Sequence, residues 1–318
     1  MNSTSSLLLL LITTSLHASF GQNLFCYYRI INPFAYVCDL LIQNPNGYNN
    51  FTEIRGTHLP VRWNEDVTTI LRATSSISIN APSIICNTFI NARDLDLFGI
   101  GIERINEDSF RNCRNLRQLE LGGNKIVEIE ERSFSNNPLL DNLSLQGNRL
   151  TTLPANIFVN QRSLNFLSLS RNIITDLPKN IFAPLLNLQE LNLDFNQFEV
   201  IHSHWFGKLS TLNFVHFRSN QIIAVDERFI DNTGVYWLGM FHNICINQIV
   251  LDLSAKRQQM RAALQICVKN YQDISGCTLG NLDERVCKLE DENEQQQIKI
   301  DNLQKAVDEL LNRNCTCA

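Results

Sequence analysis

The chain has 318 residues, 44% of them hydrophobic and 19% charged, with a formal net charge of −5. That is ordinary globular composition, enough for one large or two modest domains. The mild negative charge excludes a broad electrostatic attraction to nucleic acid or to an anionic membrane.

The chain opens on an apolar run from Leu7 to Ile12, followed by a stretch from Ala18 to Gly21 that carries the small residues Ala18, Ser19 and Gly21. Residues 1–21 read as a secretory signal peptide, although the n-region lacks a positive charge. No later stretch approaches ~18 continuous apolar residues, so no membrane span is predicted and the mature protein is expected outside the cell. All 10 cysteines lie beyond the expected cleavage point. An even count in an exported chain favours disulfides. Sequons at Asn50, Asn142 and Asn314 are candidate glycosylation sites, and a fourth at Asn2 leaves with the signal peptide.

Residues 22–66 are expected to form an N-terminal cap. The stretch FCYYRIINPFAYVCDLLIQ reads as a hairpin closed by Cys26 and Cys38.

From residue 67 to 246 the sequence repeats. Leu116, Leu140, Leu164, Leu188 and Leu212 are spaced by 24. Three residues on stand Leu119, Leu143, Leu167, Leu191 and Val215; two further on stand Leu121, Leu145, Leu169, Leu193 and Phe217. Then come Asn124, Asn148, Asn172, Asn196 and Asn220, and a phenylalanine column at Phe110, Phe134, Phe158, Phe182 and Phe206. This is the leucine-rich repeat, L-x-x-L-x-L-x-x-N-x-L. Alternation in the short L-x-L strand sends both leucines inward. The asparagine turns the chain and is expected to satisfy backbone groups that no ladder reaches. One repeat cannot bury its own apolar face, so neighbours must stack. The predicted fold is an α/β leucine-rich-repeat solenoid, a horseshoe with a parallel concave sheet, followed by a C-terminal α-helical coiled coil. The edges are irregular. Ile100 replaces the asparagine in the frame from Ala92, and a degenerate repeat is predicted from about Val67 with Ile70 and Ile77 inward. At the other end the frame continues through Tyr236, Gly239, Phe241, Ile244 and Ile246, with no asparagine. Cys86 and Cys113 are placed either to bridge adjacent convex turns or to stay as buried thiols.

Residues 247–278 are expected to form a helical cap. Met260, Leu264, Cys267 and Tyr271 share one helical face, and Cys245 with Cys267 is the favoured cap disulfide. Residues 279–318 carry a heptad: Leu282, Val286, Leu289, Asn293, Gln296, Ile300, Leu303, Val307 and Leu310. A coiled coil is the first reading; an amphipathic helix folded back on the horseshoe is the alternative. Asn293 at a core position suits a two-stranded state, and Arg285 would face Glu290 of a parallel partner. The flanking charges permit a homodimer and do not demand a heterodimer. Cys315 and Cys317 are candidates for interchain bonds at the coil's end. Cys277 and Cys287 bracket its start, and pair either with each other or across chains.

Outward strand positions line the concave face: Asp94, Asp96 and Glu120 early, then Phe166, Arg171, Phe195, Phe214, His216 and Arg218. Aromatic side chains and arginine are enriched at protein interfaces, so the later group is the candidate partner-binding surface. Scattered surface phenylalanines are the plain alternative. A glycan on Asn142 would project into the concavity and favour the C-terminal half. No catalytic motif is present. His202 and His204 fall on the convex side while His216 and His242 fall on the concave side, so no shared metal site is expected and no cofactor is implied.

Signal peptide, cysteine hairpin, short array of 24-residue repeats, cysteine-bearing cap and terminal coil occur in that order. In this the chain resembles the secreted leucine-rich-repeat immune proteins of mosquitoes, in their short form. Cys26 and Cys38 match the family's hairpin and Leu282 to Leu310 its coil; the family's adjacent Cys-Cys pair is replaced by the separated Cys277 and Cys287. The resemblance implies a non-enzymatic recognition or scaffold protein of insect innate immunity circulating in haemolymph. It implies pairing through the coil and an interchain disulfide, and a complement-like thioester protein as partner. A secreted matrix or developmental ligand-binding protein on the same fold is the second reading, distinguished by expression that does not rise after infection.

Overall fold

The computed structural model describes residues 23–32, 35–43, 54–55, 67–72, 81, 83–246, 249–251 and 261–275, with Cys38 and Ile70 the side chains described before residue 81. The signal peptide, Asn50, Ile77, Met260, Cys277, Cys287, the heptad positions, Asn314, Cys315 and Cys317 lie outside the described residues.

Short strands recur because each repeat offers only one alternating triplet. β4 (Val67–Arg72), β5 (Asp94–Asp96), β7 (Gln118–Glu120), β9 (Asn142–Ser144), β10 (Phe166–Ser168), β11 (Glu190–Asn192), β13 (Phe214–His216) and β15 (Trp237–Gly239) run parallel as neighbours. Their register joins like with like: Leu119 pairs with Leu143, then Leu167, Leu191, Val215 and Leu238. Two antiparallel pieces close the ends. A hairpin of β1 (Asn23–Asn32) and β2 (Ala35–Gln43) joins β4 through β2, and β3 (Ile54–Arg55) lies outside β1. β16 (Ile249–Leu251) covers the far edge of β15. The sheet therefore ends on two very short strands, β3 and β16, which offer other chains little edge on which to add. Two small sheets lie away from the main one, β6 (Arg104–Ile105) with β8 (Glu128–Ile129) and β12 (Val200–Ile201) with β14 (Ala224–Val225).

The core is a stack of identical layers. Central leucines are buried, and behind them Phe110 stacks on Phe134 at 6.0 Å, Phe182 on Phe206 at 5.5 Å and Phe206 on Phe229 at 4.8 Å. The asparagines form a continuous ladder. Asn172 donates to the carbonyls of Leu145, Leu169 and Ser170 and accepts from the Leu150 N–H, and Asn124, Asn148, Asn196 and Asn220 repeat the pattern. Each side chain thereby completes backbone groups of its own and the preceding turn. Burial without such partners costs about 1–3 kcal/mol per group. A second, shorter ladder lies nearer the convex side. There Asn137 donates to the carbonyls of Phe110 and Cys113, and Gln161 to that of Phe134. The 24-residue motif offered no consensus position from which to expect it.

The last frame read from the sequence is corrected by one residue. Asn243 takes the ladder place, accepting from the Ile222 N–H and donating to the carbonyls of Phe217, Met240 and Phe241. Val235, Leu238 and Met240 point inward, whereas Tyr236, Phe241 and Ile244 are 38%, 38% and 70% exposed. The shortening falls at Gly234, which alone spans the gap filled one repeat earlier by Ser210 and Thr211. A Cβ there would lie 2.1 Å from the Ser210 carbonyl oxygen, so no other residue allows the shortcut. The sequence frame ran on at 24 because it had no reason to delete a residue there.

On the convex side Cys86, in α1 (Ile84–Thr88), is bonded to Cys113 with Cα atoms 4.8 Å apart, and Cys245 is bonded to Cys267 at 5.3 Å. The latter ties α3 (Gln265–Ser275) to the array; α2 (Arg228–Asn232) lies one repeat before. Leu264, Cys267 and Tyr271 are buried, and Asn270 donates to the Ile223 carbonyl at 2.7 Å. Cys38 is also disulfide-bonded, and the β1–β2 register puts Cys26 opposite Leu40, two residues from it on the same face.

Candidate recognition surface

The concave sheet changes character along the array. Early repeats present Asp94, Asp96 and Glu120, all half-buried. Asp96 and Glu120 are each turned onto the backbone, accepting the N–H groups of Phe98 and Gly122. Burial raises the Glu120 pKa above its ordinary value, and the nearby Asp96 charge adds to this against hydrogen bonds from Ser144 and Gly122. Asn142 sits mid-sheet, half-buried, between Gln118 and Phe166.

Aromatic and cationic groups gather in the later repeats. The His216 ring lies 4.4 Å from Trp237, and Phe214 meets Tyr236 edge-on at 4.8 Å. His216 Nε2 is 3.2 Å from Glu190 Oε1. Trp237 lies over Gly239, where a Cβ would meet its ring at 2.6 Å, so the glycine makes room for the indole. Neither Trp237 nor Tyr236 was expected here. Both were hidden by the one-residue error in the last frame, and Asn243, counted at a spacing of 23, was the available signal. Phe166 is on the same sheet but outside this cluster, with Asn142 and Glu190 as its ladder neighbours.

Arg171, Phe195 and Arg218 were expected on strands and are not. The strands are three residues long and end at Ser168, Asn192 and His216, and these side chains belong to the turns beyond the strand ends. They form a rim. The Arg171 guanidinium sits 4.4 Å from the centre of the Phe195 ring and that of Arg218 sits 4.9 Å from it. Arg171 comes from the repeat before Phe195 and Arg218 from the repeat after, so the ring lies between two cations. Asp194 underlies them. Its Oδ1 accepts the Arg218 N–H at 2.6 Å and its Oδ2 is 3.3 Å from Arg218 Nη2. Burial pushes the Asp194 pKa up, against the lowering effect of the Arg218 N–H bond and of the His216, Arg218 and Arg171 charges.

The rim has an unusual backbone. One position per repeat adopts positive φ: Gly99 (65°), Gly123 (64°), Gly147 (64°), Arg171 (55°), Phe195 (56°), Ser219 (55°) and His242 (58°). The early repeats fill it with glycine, which bears this conformation without strain. The later ones use side-chain-bearing residues at a cost of roughly 1 kcal/mol each. Ser219 and His242 also meet, Oγ to Nδ1 at 3.3 Å.

His202 and His204 lie on the far side, stacked on each other at 4.7 Å, with His202 against Trp205 and Tyr271. Among the described residues no group of three or more histidines, cysteines or carboxylates could hold a metal ion. Among the same residues no helix is long and apolar enough to cross a membrane.

The family described as BspA type leucine-rich repeat region matches residues 83–213 in 6 copies, and the leucine-rich repeat family matches residues 187–243. The chain is a leucine-rich-repeat protein. No curated protein sequence matches it. Among solved structures, this leucine-rich-repeat protein is similar to TLR13 in its complex with ssRNA13, at a TM-score of 0.51 and 25% identity over 57% of this chain and 26% of that one. The APL1 leucine-rich repeat domain aligns at 0.47 and 19%, over 70% of this chain and 65% of that one. The LRIM1/APL1C complex aligns at 0.47 and 19%, over 70% and 47%. The protein thus spans less than two thirds of each of these three structures.

Proposed function

We propose that this leucine-rich-repeat protein is a secreted, non-enzymatic recognition and scaffold protein of insect innate immunity. It binds a protein partner through the C-terminal half of its concave face and acts as a disulfide-linked coiled-coil dimer. One observation carries the binding reading. Phe214, His216, Tyr236 and Trp237 converge on a rigid sheet beside the Arg171–Phe195–Arg218 rim, and aromatic and arginine clusters of this kind dominate interface energetics once a partner covers them. The order of modules in the sequence supports secretion into haemolymph, pairing through Leu282 to Leu310 with Cys315 or Cys317 as the link, and a complement-like thioester protein as the partner.

The test uses the secreted full chain and a purified thioester protein from haemolymph. Light scattering with and without reductant should give a covalent dimer that Cys315→Ser/Cys317→Ser abolishes. Trp237→Ala should weaken partner binding by at least about tenfold, the loss typical of a central aromatic anchor. Undiminished binding by Trp237→Ala would remove the concave face from the reading, and a monomer under both conditions would remove the homodimer.

A further inference from the structure

The left-handed rim position does the same backbone work whatever residue fills it. The N–H groups of Gly99, Gly123 and Gly147 each donate to the carbonyl one repeat on, and those of Arg171, Phe195 and Ser219 do so too, all at 2.7–2.9 Å. Glycine would therefore serve throughout. Nor does the core require the side chains, since Arg171 is exposed and Phe195 and Ser219 are only half-buried. Strained residues that neither the ladder nor the core needs point to a use outside the fold.

We propose that Arg171, Phe195 and Arg218 form a receptor for an acidic segment of a partner polypeptide. Phe195 lies under the guanidinium carbons of both arginines, at 4.4 and 4.9 Å, and the guanidinium N–H groups it does not cover match carboxylates in bidentate geometry. Arg171 makes no salt bridge among the described residues, although the Asp194 carboxylate lies near enough for its charge to act there. Arg218 Nη2 lies 3.3 Å from Asp194 Oδ2, while that carboxylate's other oxygen is engaged by a backbone N–H. The two cations belong to repeats two strands apart, roughly 10 Å along the sheet at the usual strand spacing. Acidic side chains at i and i+2 of an extended segment lie about 7 Å apart at the backbone, and their own length spans the remainder. The aromatic cluster at Phe214, Tyr236 and Trp237 is positioned to take an apolar side chain of the same segment. Asp94, Asp96 and Glu120 repel that segment and confine it to the C-terminal half. The inference deepens the recognition reading and depends on it.

A fluorescent Glu-Tyr repeat peptide, titrated against the full chain, tests this. A Gln-Tyr peptide, a uridine oligonucleotide and a sulfated polysaccharide serve as alternative ligands. The Glu-Tyr peptide should bind best and weaken as salt is raised. Arg171→Gly and Phe195→Gly should each lower its affinity at least tenfold, while the unfolding midpoint stays level or rises. Equal binding of the Gln-Tyr peptide overturns the proposal, as does tighter binding of the oligonucleotide or the polysaccharide. A lowered midpoint in Phe195→Gly also overturns it, because the ring would then serve the fold. If these variants still bind the haemolymph partner while Trp237→Ala does not, the acidic chemistry fails and the recognition reading stands.

Discussion

Replacing Asn172 by leucine tests what holds the turns together. Asn172 makes four hydrogen bonds, three as donor to the carbonyls of Leu145, Leu169 and Ser170 and one as acceptor from the Leu150 N–H. The Ser170 carbonyl keeps a second donor, the Gly147 N–H at 2.8 Å. The Leu145 carbonyl keeps the Asn148 amide and the Leu169 carbonyl keeps the Asn196 amide, so leucine strands one buried group outright, the Leu150 N–H, and takes one of two donors from each carbonyl. At about 1–3 kcal/mol for the stranded N–H, with the weakened carbonyls partly offset by the added apolar contact, the loss should be near 2 kcal/mol. Asn172→Asp keeps the acceptor but turns a carboxylate toward the same carbonyls. Its folded-state pKa should be raised, so its stability should be fullest below the ordinary carboxylate pKa and fall as pH rises through the raised value. Asn243→Leu, at the half-exposed end of the ladder where water can replace the amide, should cost only about 1 kcal/mol. Urea unfolding followed by tryptophan fluorescence measures all three. A cost below about 1 kcal/mol for Asn172→Leu, or an equal cost at Asn243, would refute the ladder as the source of cohesion.

The remaining predictions concern the rim, the buried carboxylate and the cap. Gly147→Ala places a Cβ at ordinary contact distance, 3.5 Å from the Gly123 nitrogen, so only the positive φ opposes it and calorimetry should show a loss of about 1 kcal/mol. Asp226 is buried, which alone would raise its pKa. Hydrogen bonds from Arg228 and Ser203 outweigh burial and hold it below the ordinary range. Its contribution is thus present above the ordinary carboxylate pKa and lost as pH falls, so the stability difference between the native chain and Asp226→Asn should shrink in acid; a difference constant with pH would exclude the assignment. Cys245→Ser/Cys267→Ser opens a loop with a sequence separation of 22, worth about 3 kcal/mol of chain entropy, and should expose the α3 amides to hydrogen exchange before those of the repeats.

The sequence by itself determined the stack. A leucine, an asparagine or a phenylalanine recurring at a fixed interval has one consistent use, because burial fixes the inward positions and only stacking satisfies them; β5 to β13, their register and the asparagine ladder are the result. The capping helix face of Leu264, Cys267 and Tyr271 was legible for the same reason, being a periodic apolar pattern. Outward positions obey no such rule. Which of them meet depends on the register of neighbouring turns, and a single residue displaces the result. Gly234 shortens the last turn because only glycine passes the Ser210 carbonyl, and that turn brings Trp237 and Tyr236 to His216 and Phe214. The strands also proved too short to carry Arg171, Phe195 and Arg218, which the left-handed turn lifts onto a rim. A backbone angle that glycine and arginine share at neighbouring repeats leaves no periodic signature in the sequence, so tertiary structure alone decided what the surface presents.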